Sequence, residues 1–294
     1  MAFKSGFVAL IGHPNVGKST LLNSIIKEKI AIISPKAQTT RNVIRGIYTT
    51  DEAQIVFLDT PGIHKAQNEL GSLMNKSARS SYKDVEAVLL ISDVTLESPD
   101  NYDHLIDDLE NLECPLFLVL NKIDLLNKNE LLELTAKWSE RFKFAGIIPI
   151  SALKEENIDM LIKALIEVMP EGPKYYPGDM ITDNPESFIV SELIREKILS
   201  FTREEIPHSV AIVIEKMYET NKSLNIYATI VVERDSQKGI IIGKGGTMIR
   251  KIGTSARQEI ERVFGVKTRL ETFVRVEKDW RNSSHNLKEF GYRE

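Results

Sequence analysis

The sequence predicts an α/β domain built on a mainly parallel sheet with helices on both faces, followed by a smaller α+β domain. Three observations carry that prediction. Short, wholly apolar runs alternate with helical patterns through residues 1–170. A proline- and glycine-rich stretch then interrupts the alternation. Beyond it the order of elements changes to helix, strand, strand, helix, strand.

At 294 residues the chain is long enough for two cores, and its 42% apolar and 27% charged content is that of an ordinary globular protein. The single cysteine, Cys114, excludes a disulfide framework and fits a reducing compartment. Beside the apolar run 116–120 it reads as a buried filler rather than a nucleophile. No apolar run reaches the roughly 18 residues of a membrane span and the first residues lack a signal-peptide pattern, so the expected location is the cytoplasm. Net charge divides unevenly. Residues 1–185 carry 19 Lys+Arg against 26 Asp+Glu, whereas residues 186–294 carry 19 against 16, so basic character is concentrated in the second part.

The first strand is the apolar run from Phe7 to Ile11, followed at once by Gly12-His13-Pro14-Asn15-Val16-Gly17-Lys18-Ser19-Thr20 and then by Leu21, Leu22, Ile25 and Ile26 at helical spacing. Strand, G-x-x-x-x-G-K-[ST] and helix, in that order, make a nucleotide-phosphate loop. A polar stretch, residues 34–41, precedes strand-like runs at 43–48 and 54–59, the second ending in Asp59-Thr60-Pro61-Gly62. Further apolar runs recur at 87–92, 116–120 and 147–150, with helical patterns at 102–112, 131–142 and 158–169. Residues 170–185 hold four prolines and two glycines. The expected organisation is therefore a nucleotide-binding domain over 1–170, a linker over 171–185 and a second domain over 186–294. That second domain reads as a helix at 187–201, strands at 210–217 and 225–233, a glycine-rich turn, a helix at 247–264, a strand at 268–276 and a short tail.

Ligands of such sheets bind at the carboxyl ends of the strands, where these motifs lie. Backbone N–H groups made accessible by Gly12 and Gly17 wrap phosphates, Lys18 bridges the terminal two, and the Ser19 hydroxyl ligates magnesium. Asp59 supplies the carboxylate that holds the metal, and the Gly62 amide senses a terminal phosphate; the competing reading of 59–62 is a plain turn. After strand 116–120 comes Asn121-Lys122-Ile123-Asp124. A carboxylate accepts two hydrogen bonds from the ring N–H and exocyclic amine of guanine, a donor pair adenine lacks. Its loss would leave Asp124 buried and unpaired, and sites of this kind discriminate by about ten-thousandfold. Asn121 ties this loop to the phosphate loop, and the Lys122 stem covers the base plane. Ser151-Ala152-Leu153 presents an amide N–H to the guanine oxygen. The competing reading of residues 121–124 is a polar loop that happens to follow a strand.

Together these motifs resemble the GTP-binding domain of the translation-factor-related GTPases, which implies GTP/GDP and Mg2+ as cofactors and GTP hydrolysis as the activity. Where many GTPases carry a water-orienting glutamine after Asp-x-x-Gly, this chain has Ile63. That matches the subclass with a hydrophobic residue there and implies slow intrinsic turnover. In potassium-stimulated members of the subclass an asparagine at the position of Asn15 holds K+ against the phosphates; alternatively Asn15 caps local backbone. Thr40, rather than its competitor Thr39, is the expected mobile-loop threonine that reaches magnesium with the terminal phosphate present. The expected catalytic set is thus Lys18, Thr40, Gly62 and Asn15.

In the second domain, Ile241-Ile242-Gly243-Lys244-Gly245-Gly246 enters a helix and fits the G-x-x-G loop of a KH domain, whose backbone clamps about four nucleotides. From Lys238 to Arg269 there are eight Lys+Arg against two Asp+Glu. The order of elements is that of the prokaryotic, type II KH domain. Lys244, Arg250 and Lys251 are the expected phosphate contacts, with Ile241, Ile242 and Ile249 lining an apolar groove; Arg257, Arg262 and Arg269 read equally as a solvated face. The competing reading is a glycine-rich turn on an unrelated α+β domain.

With Gln38-Thr39-Thr40-Arg41, Asp59-Thr60-Pro61-Gly62-Ile63-His64-Lys65, Asn121-Lys122-Ile123-Asp124 and a C-terminal KH domain, the chain resembles the Era family of bacterial GTPases over essentially its whole length. Lys278-Asp279-Trp280-Arg281 and Phe290-Gly291-Tyr292 add to the likeness. The resemblance implies a monomeric switch that binds 16S rRNA near its 3′ end and acts in small (30S) ribosomal subunit assembly and rRNA maturation. It also implies peripheral contact with the inner face of the cell membrane. His13 where arginine is frequent, and Gly245 where lysine is frequent, depart from the family pattern. A different class of function, an RNA-binding scaffold with a largely structural GTP site, competes with the switch.

Overall fold

The computed structural model describes residues 2–36, 38–62, 66–95, 99–102, 105, 106, 109, 112–203 and 206–292. The chain forms two compact units: Met1–Ile30 with Thr40–His64 and Met74–Asp183, and Ala31–Thr39 with Lys65–Leu73 and Asn184–Glu294.

The first unit is built on a six-stranded sheet. Its strands are β1 (Lys4–Ile11), β2 (Ile44–Thr49), β3 (Ala53–Asp59), β4 (Ala87–Asp93), β5 (Leu116–Asn121) and β6 (Gly146–Ile150), in the order β2-β3-β1-β4-β5-β6. All pairs are parallel except β2 with β3. Every residue of β3, β4 and β5 is buried, because helices cover both faces and leave no polar side to alternate with. The helices are α1 (Lys18–Ile26), α2 (Glu69–Ser80, of which residues 74–80 belong to this unit), α3 (Lys128–Arg141) and α4 (Ile158–Val168). α3 begins earlier than its apolar spacing suggests, because Asn127 accepts from the Asn129 and Glu130 amides and Glu130 returns a bond to the Asn127 amide. Register places the functional strand ends side by side: Leu10 opposite Asp59, Asp93 opposite Asn121, and Asn121 opposite Ile150.

α2 is absent from the sequence reading, although Leu70, Met74 and Ala78 stand at helical spacing and are buried. The helical pattern at 102–112 falls partly outside the described residues. One expectation for this unit changes. Residues 170–181, read as a linker, are bonded along the sheet. Ser5 N donates to the Pro170 carbonyl at 3.0 Å, Ile47 N to Ile181 at 2.8 Å, and the Gln54 carboxamide accepts from the Tyr175 and Tyr176 amides. A buried amide on an edge-side strand thus gives an otherwise irregular segment its backbone partners.

The second unit holds α5 (Glu186–Phe201), a single turn (Ile206–Ser209), β7 (Ala211–Glu219), β8 (Leu224–Val232), α6 (Asp235–Ile242), α7 (Thr247–Phe264), β9 (Thr268–Val276) and α8 (Ser284–Glu289). β7 and β8 are antiparallel, β8 and β9 parallel. α5 and α7 supply Val190, Leu193, Ile194, Ile252, Ala256 and Ile260 to one core with the inner face of the sheet. Arg195 is buried in this unit, where its guanidinium pairs with Glu192 and donates to the Thr39 carbonyl.

α6 and α8 correct the sequence reading, which left both as irregular chain. The run Gly239-Ile240-Ile241-Ile242 looks strand-like or turn-like, but Gln237 folds back so that its Oε1 accepts from the Glu233 and Arg234 amides, and the first turn of α6 is nucleated there. The tail is closed by Trp280, whose indole N–H donates to the Ser209 carbonyl at 2.9 Å and whose ring packs edge-on to Phe290 and stacks on Tyr292. Trp280 is fully buried. Replacing Trp280 by alanine should therefore destabilise the second unit by about 3–5 kcal/mol, read as a lowered denaturant midpoint for that unit.

Candidate functional site

The phosphate loop owes its shape to what crosses it. Gly17 has φ of 103°, and a Cβ there would lie 2.2 Å from the Asn121 Nδ2; at Gly12 one would meet the Ile91 carbonyl oxygen at 2.4 Å. Asn15 also has positive φ (68°), a conformation asparagine adopts more readily than most residues. The Lys18 ammonium is buried and donates to the Gly12 and His13 carbonyls, both at 2.9 Å. His13 turns its ring edge-on to Tyr102, with Nε2 3.3 Å from the Asn101 carbonyl oxygen. Burial, helped by Lys18, holds that imidazole below its ordinary pKa.

At the start of α1 three oxygen-bearing side chains converge. Ser19 Oγ donates to Asp59 Oδ2 at 2.6 Å and lies 2.9 Å from Thr40 Oγ1, which is 3.4 Å from the same Oδ2. Asp59 is completely buried, and its Oδ1 has no hydrogen-bond partner among the described residues. Burial pushes its carboxyl up to about 6, against the opposing pull of Lys18, Ser19 and Thr40. Two hydroxyls and a carboxylate with an unsatisfied oxygen are the donors a hard divalent cation such as Mg2+ takes. Thr39 does not reach this cluster: its hydroxyl donates to the Lys36 carbonyl at 2.6 Å. Thr60 latches β3 to β1 through the Leu10 carbonyl at 2.7 Å, Pro61 is buried, and Gly62 lies against Pro14.

The base loop is organised by Asn121. Its Nδ2 donates to the Val16 carbonyl at 2.8 Å, and its Oδ1 accepts from the Lys122 amide at 2.8 Å and the Ala152 amide at 3.0 Å. Asp124 Oδ1 accepts from Ser151 Oγ at 2.6 Å, which orients the carboxylate. Two details modify the sequence reading. Asp124 is exposed rather than buried, so desolvation of its carboxylate can come only from a base laid over it. Within Ser151-Ala152-Leu153, the segment expected to present an amide N–H to the guanine oxygen, the Ala152 amide is engaged by Asn121, while Leu153 projects at 74% exposure. Cys114 is half-buried and burial raises its thiol pKa, the opposite of an activated nucleophile. Ile63, His64 and Lys65 lie outside the described residues.

In the second unit Gly243, Gly245 and Gly246 all have positive φ. A Cβ at Gly243 would come within 2.8 Å of the Met248 amide, whereas at Gly245 and Gly246 it would meet nothing. Lys244 and Arg250 are exposed, and Ile242 and Ile249 are partly so. Lys251 is exposed but holds its ammonium over the Phe201 ring at 4.2 Å. Ile241 is a correction: it is fully buried in the core between α6 and the sheet and cannot line a groove. The helical period of α6 turns Ile240, at 49% exposure, outward in its place.

Comparison with known proteins adds three findings. A family model described as a 50S ribosome-binding GTPase matches residues 7–122, and one described as a KH domain matches residues 205–281. GTPase Era of Lacticaseibacillus paracasei is 52% identical over 289 residues, covering 98% of this chain and 96% of that protein. Two crystal structures are similar at 39% identity, each covering 99% of this chain and all of its own: a variant of Aquifex aeolicus Era bound to GDP and AlF4− (TM-score 0.95) and Era in complex with MgGDPNP and nucleotides 1506–1542 of 16S ribosomal RNA (TM-score 0.94).

The Asp59 geometry generates a stability prediction. A carboxyl whose pKa is raised in the fold from 3.8 to about 6 contributes stability at low pH that is lost as pH rises through about 6. Above that pH the buried charge costs about 3 kcal/mol. In nucleotide-free, Mg2+-free protein, Asp59→Asn should raise the melting temperature at pH 7.5. The gain should shrink towards zero by about pH 4.

Proposed function

The chain belongs to the GTPase Era family and hydrolyses GTP, and from that premise we propose that it is a GTP-dependent switch that grips 16S rRNA near its 3′ end during small-subunit assembly. The observation that carries the switch reading is the convergence of Thr40 with Ser19 and Asp59. Thr40 comes from a loop, the other two from regular elements, so binding at this cluster and order in the loop are linked.

In this reading Ser19, Thr40 and Asp59 hold Mg2+, which when bound supplies positive charge beside the phosphate oxygens. Lys18 leaves the Gly12 and His13 carbonyls for the terminal phosphates. The backbone N–H groups of residues 12–20, except at Pro14, which has none, cradle the phosphates and the Gly62 amide meets the last one. Asp124 and Lys122 take guanine. Lys244, Arg250 and the open backbone of Gly245 and Gly246 take single-stranded RNA, with Ile242 and Ile249 against the bases. Support for the RNA partner comes from the relative whose structure holds nucleotides 1506–1542 of 16S ribosomal RNA. The place of action in this reading is the cytoplasm, as a monomer; peripheral contact with the inner membrane face rests on the family resemblance alone. Among the described residues no helix is long and apolar enough to cross a membrane.

Crosslinking followed by sequencing of bound RNA, in the GTP and GDP states, tests the switch. Enrichment of one small-subunit site only with GTP supports it, whereas nucleotide-independent RNA and turnover that ignores RNA favour a scaffold. Gly246→Asp, which puts a negative charge on the open loop, should weaken RNA binding by about tenfold or more while leaving the GDP affinity unchanged in a filter-binding assay. For hydrolysis, potassium held with the help of Asn15 is expected to accelerate turnover over sodium at equal ionic strength. Asn15→Ala should remove that increment; equal rates in the two salts would show that the asparagine serves only its left-handed backbone position.

A further inference from the structure

Asp93, at the end of β4, belongs to no motif, yet it is almost completely buried beside the base loop. It stands opposite Asn121 in the β4–β5 register, and the Val94 amide donates to the Asn121 carbonyl at 3.1 Å. Both carboxylate oxygens are used. Oδ1 accepts from the Thr95 amide at 3.0 Å and the Thr95 hydroxyl at 2.7 Å, and Oδ2 accepts from the Lys122 ammonium. That ammonium also donates to the Asn15 carbonyl at 3.1 Å. Burial acts to push the Asp93 carboxyl up, but the bonds from Lys122 and Thr95 outweigh it and hold the group below the usual carboxylate value.

We infer that Asp93 is a positioning residue for guanine binding: by fixing the Lys122 ammonium against the phosphate loop, it holds the lysine stem stretched along the plane the base must occupy. The physical need is entropic. A lysine side chain loses much rotamer freedom when it is fixed, and Lys122 sits on a left-handed backbone position (φ 70°) from which its stem would otherwise sweep freely. Thr95, by bonding one carboxylate oxygen twice, sets the rotamer that aims the other at Lys122. A neutral residue in place of Asp93 would leave the ammonium held by the Asn15 carbonyl, a weaker hydrogen bond than one between charges.

The inference rests on the reading that Lys122 covers the base, and the experiment separates the two. Release rates of a fluorescent GDP analogue are measured from full-length wild-type protein, Asp93→Asn, Lys122→Ala and the double variant. Asp93→Asn keeps the acceptor for Thr95 and loses the charge, so it should speed release by about tenfold with little change in association. In the Lys122→Ala background it should add nothing. If Asp93→Asn releases GDP at the wild-type rate while Lys122→Ala is fast, or if the two effects simply add, the inference is overturned and the Lys122 reading stands. If Lys122→Ala itself is normal, the base-covering reading fails and the inference falls with it. Should Asp93→Asn not fold, Thr95→Val carries the same test: it removes a donor that orients the carboxylate but spares its charge, and its smaller acceleration must likewise vanish in the Lys122→Ala background.

Discussion

The nucleotide site of the first unit depends on one buried carboxamide. Asn121 closes three segments at once, through Val16 of the phosphate loop, the amide of its own successor and Ala152 of the loop after β6. No charged side chain does this: a carboxylate cannot donate to the Val16 carbonyl, and an ammonium cannot accept from two amides. The carboxamide must also pass where a side chain on residue 17 would stand, which makes the second glycine of the phosphate loop a consequence of the residue that reads out the base loop. The two motifs lie about a hundred residues apart in sequence but are sterically one object.

Around that hub the unit stores polar cost where a ligand can relieve it. Asp59 is buried with one oxygen unbonded, and Lys18, buried nearby, is occupied by carbonyls of its own loop. Each of these groups would be better solvated outside the protein, and each is suited to a partner of opposite charge. The fold therefore tolerates at this strand end a buried carboxylate oxygen with no partner among the described residues. The apolar strands β3, β4 and β5 supply the surplus burial that makes such a site affordable.

The architecture and the loops of the nucleotide site were legible because their signals are contiguous: an apolar run followed at once by Gly12 to Thr20, or by Asn121 to Asp124, fixes strand, turn and chemistry in one reading. What escaped depended on contacts remote in sequence or on one side chain overruling local pattern. Gln54 draws the segment after Pro170 onto the sheet, although that segment's prolines and glycines read as linker. Gln237 starts a helix in a stretch whose three isoleucines and two glycines argue against one. Ile241 shows the cost of that omission: without the helix its face could not be known, and a core residue passed for a groove residue. Asp93 was invisible for another reason, since a single carboxylate at a strand end has no spacing to recognise and acquires meaning only from the lysine that follows the neighbouring strand.

The glycine loop of the second unit divides its labour in a way the motif alone does not reveal. Gly243 is demanded by the fold, since Met248 leaves no room for a side chain. Gly245 and Gly246 are not crowded at all; they are required only by their backbone, with φ of 62° and 76°. That changes the meaning of having glycine at 245, where the family often carries lysine. A lysine at such a φ would bring a charge to the loop but would strain the backbone, because non-glycine residues reach this region at a cost of about 1 kcal/mol or more. Glycine gives up the charge and relaxes the turn. The electrostatic share of any grip on a phosphate backbone then shifts to Lys244 and Arg250, which flank the open amides. The contribution of the loop itself becomes the close approach of backbone to backbone, which two uncrowded glycines permit.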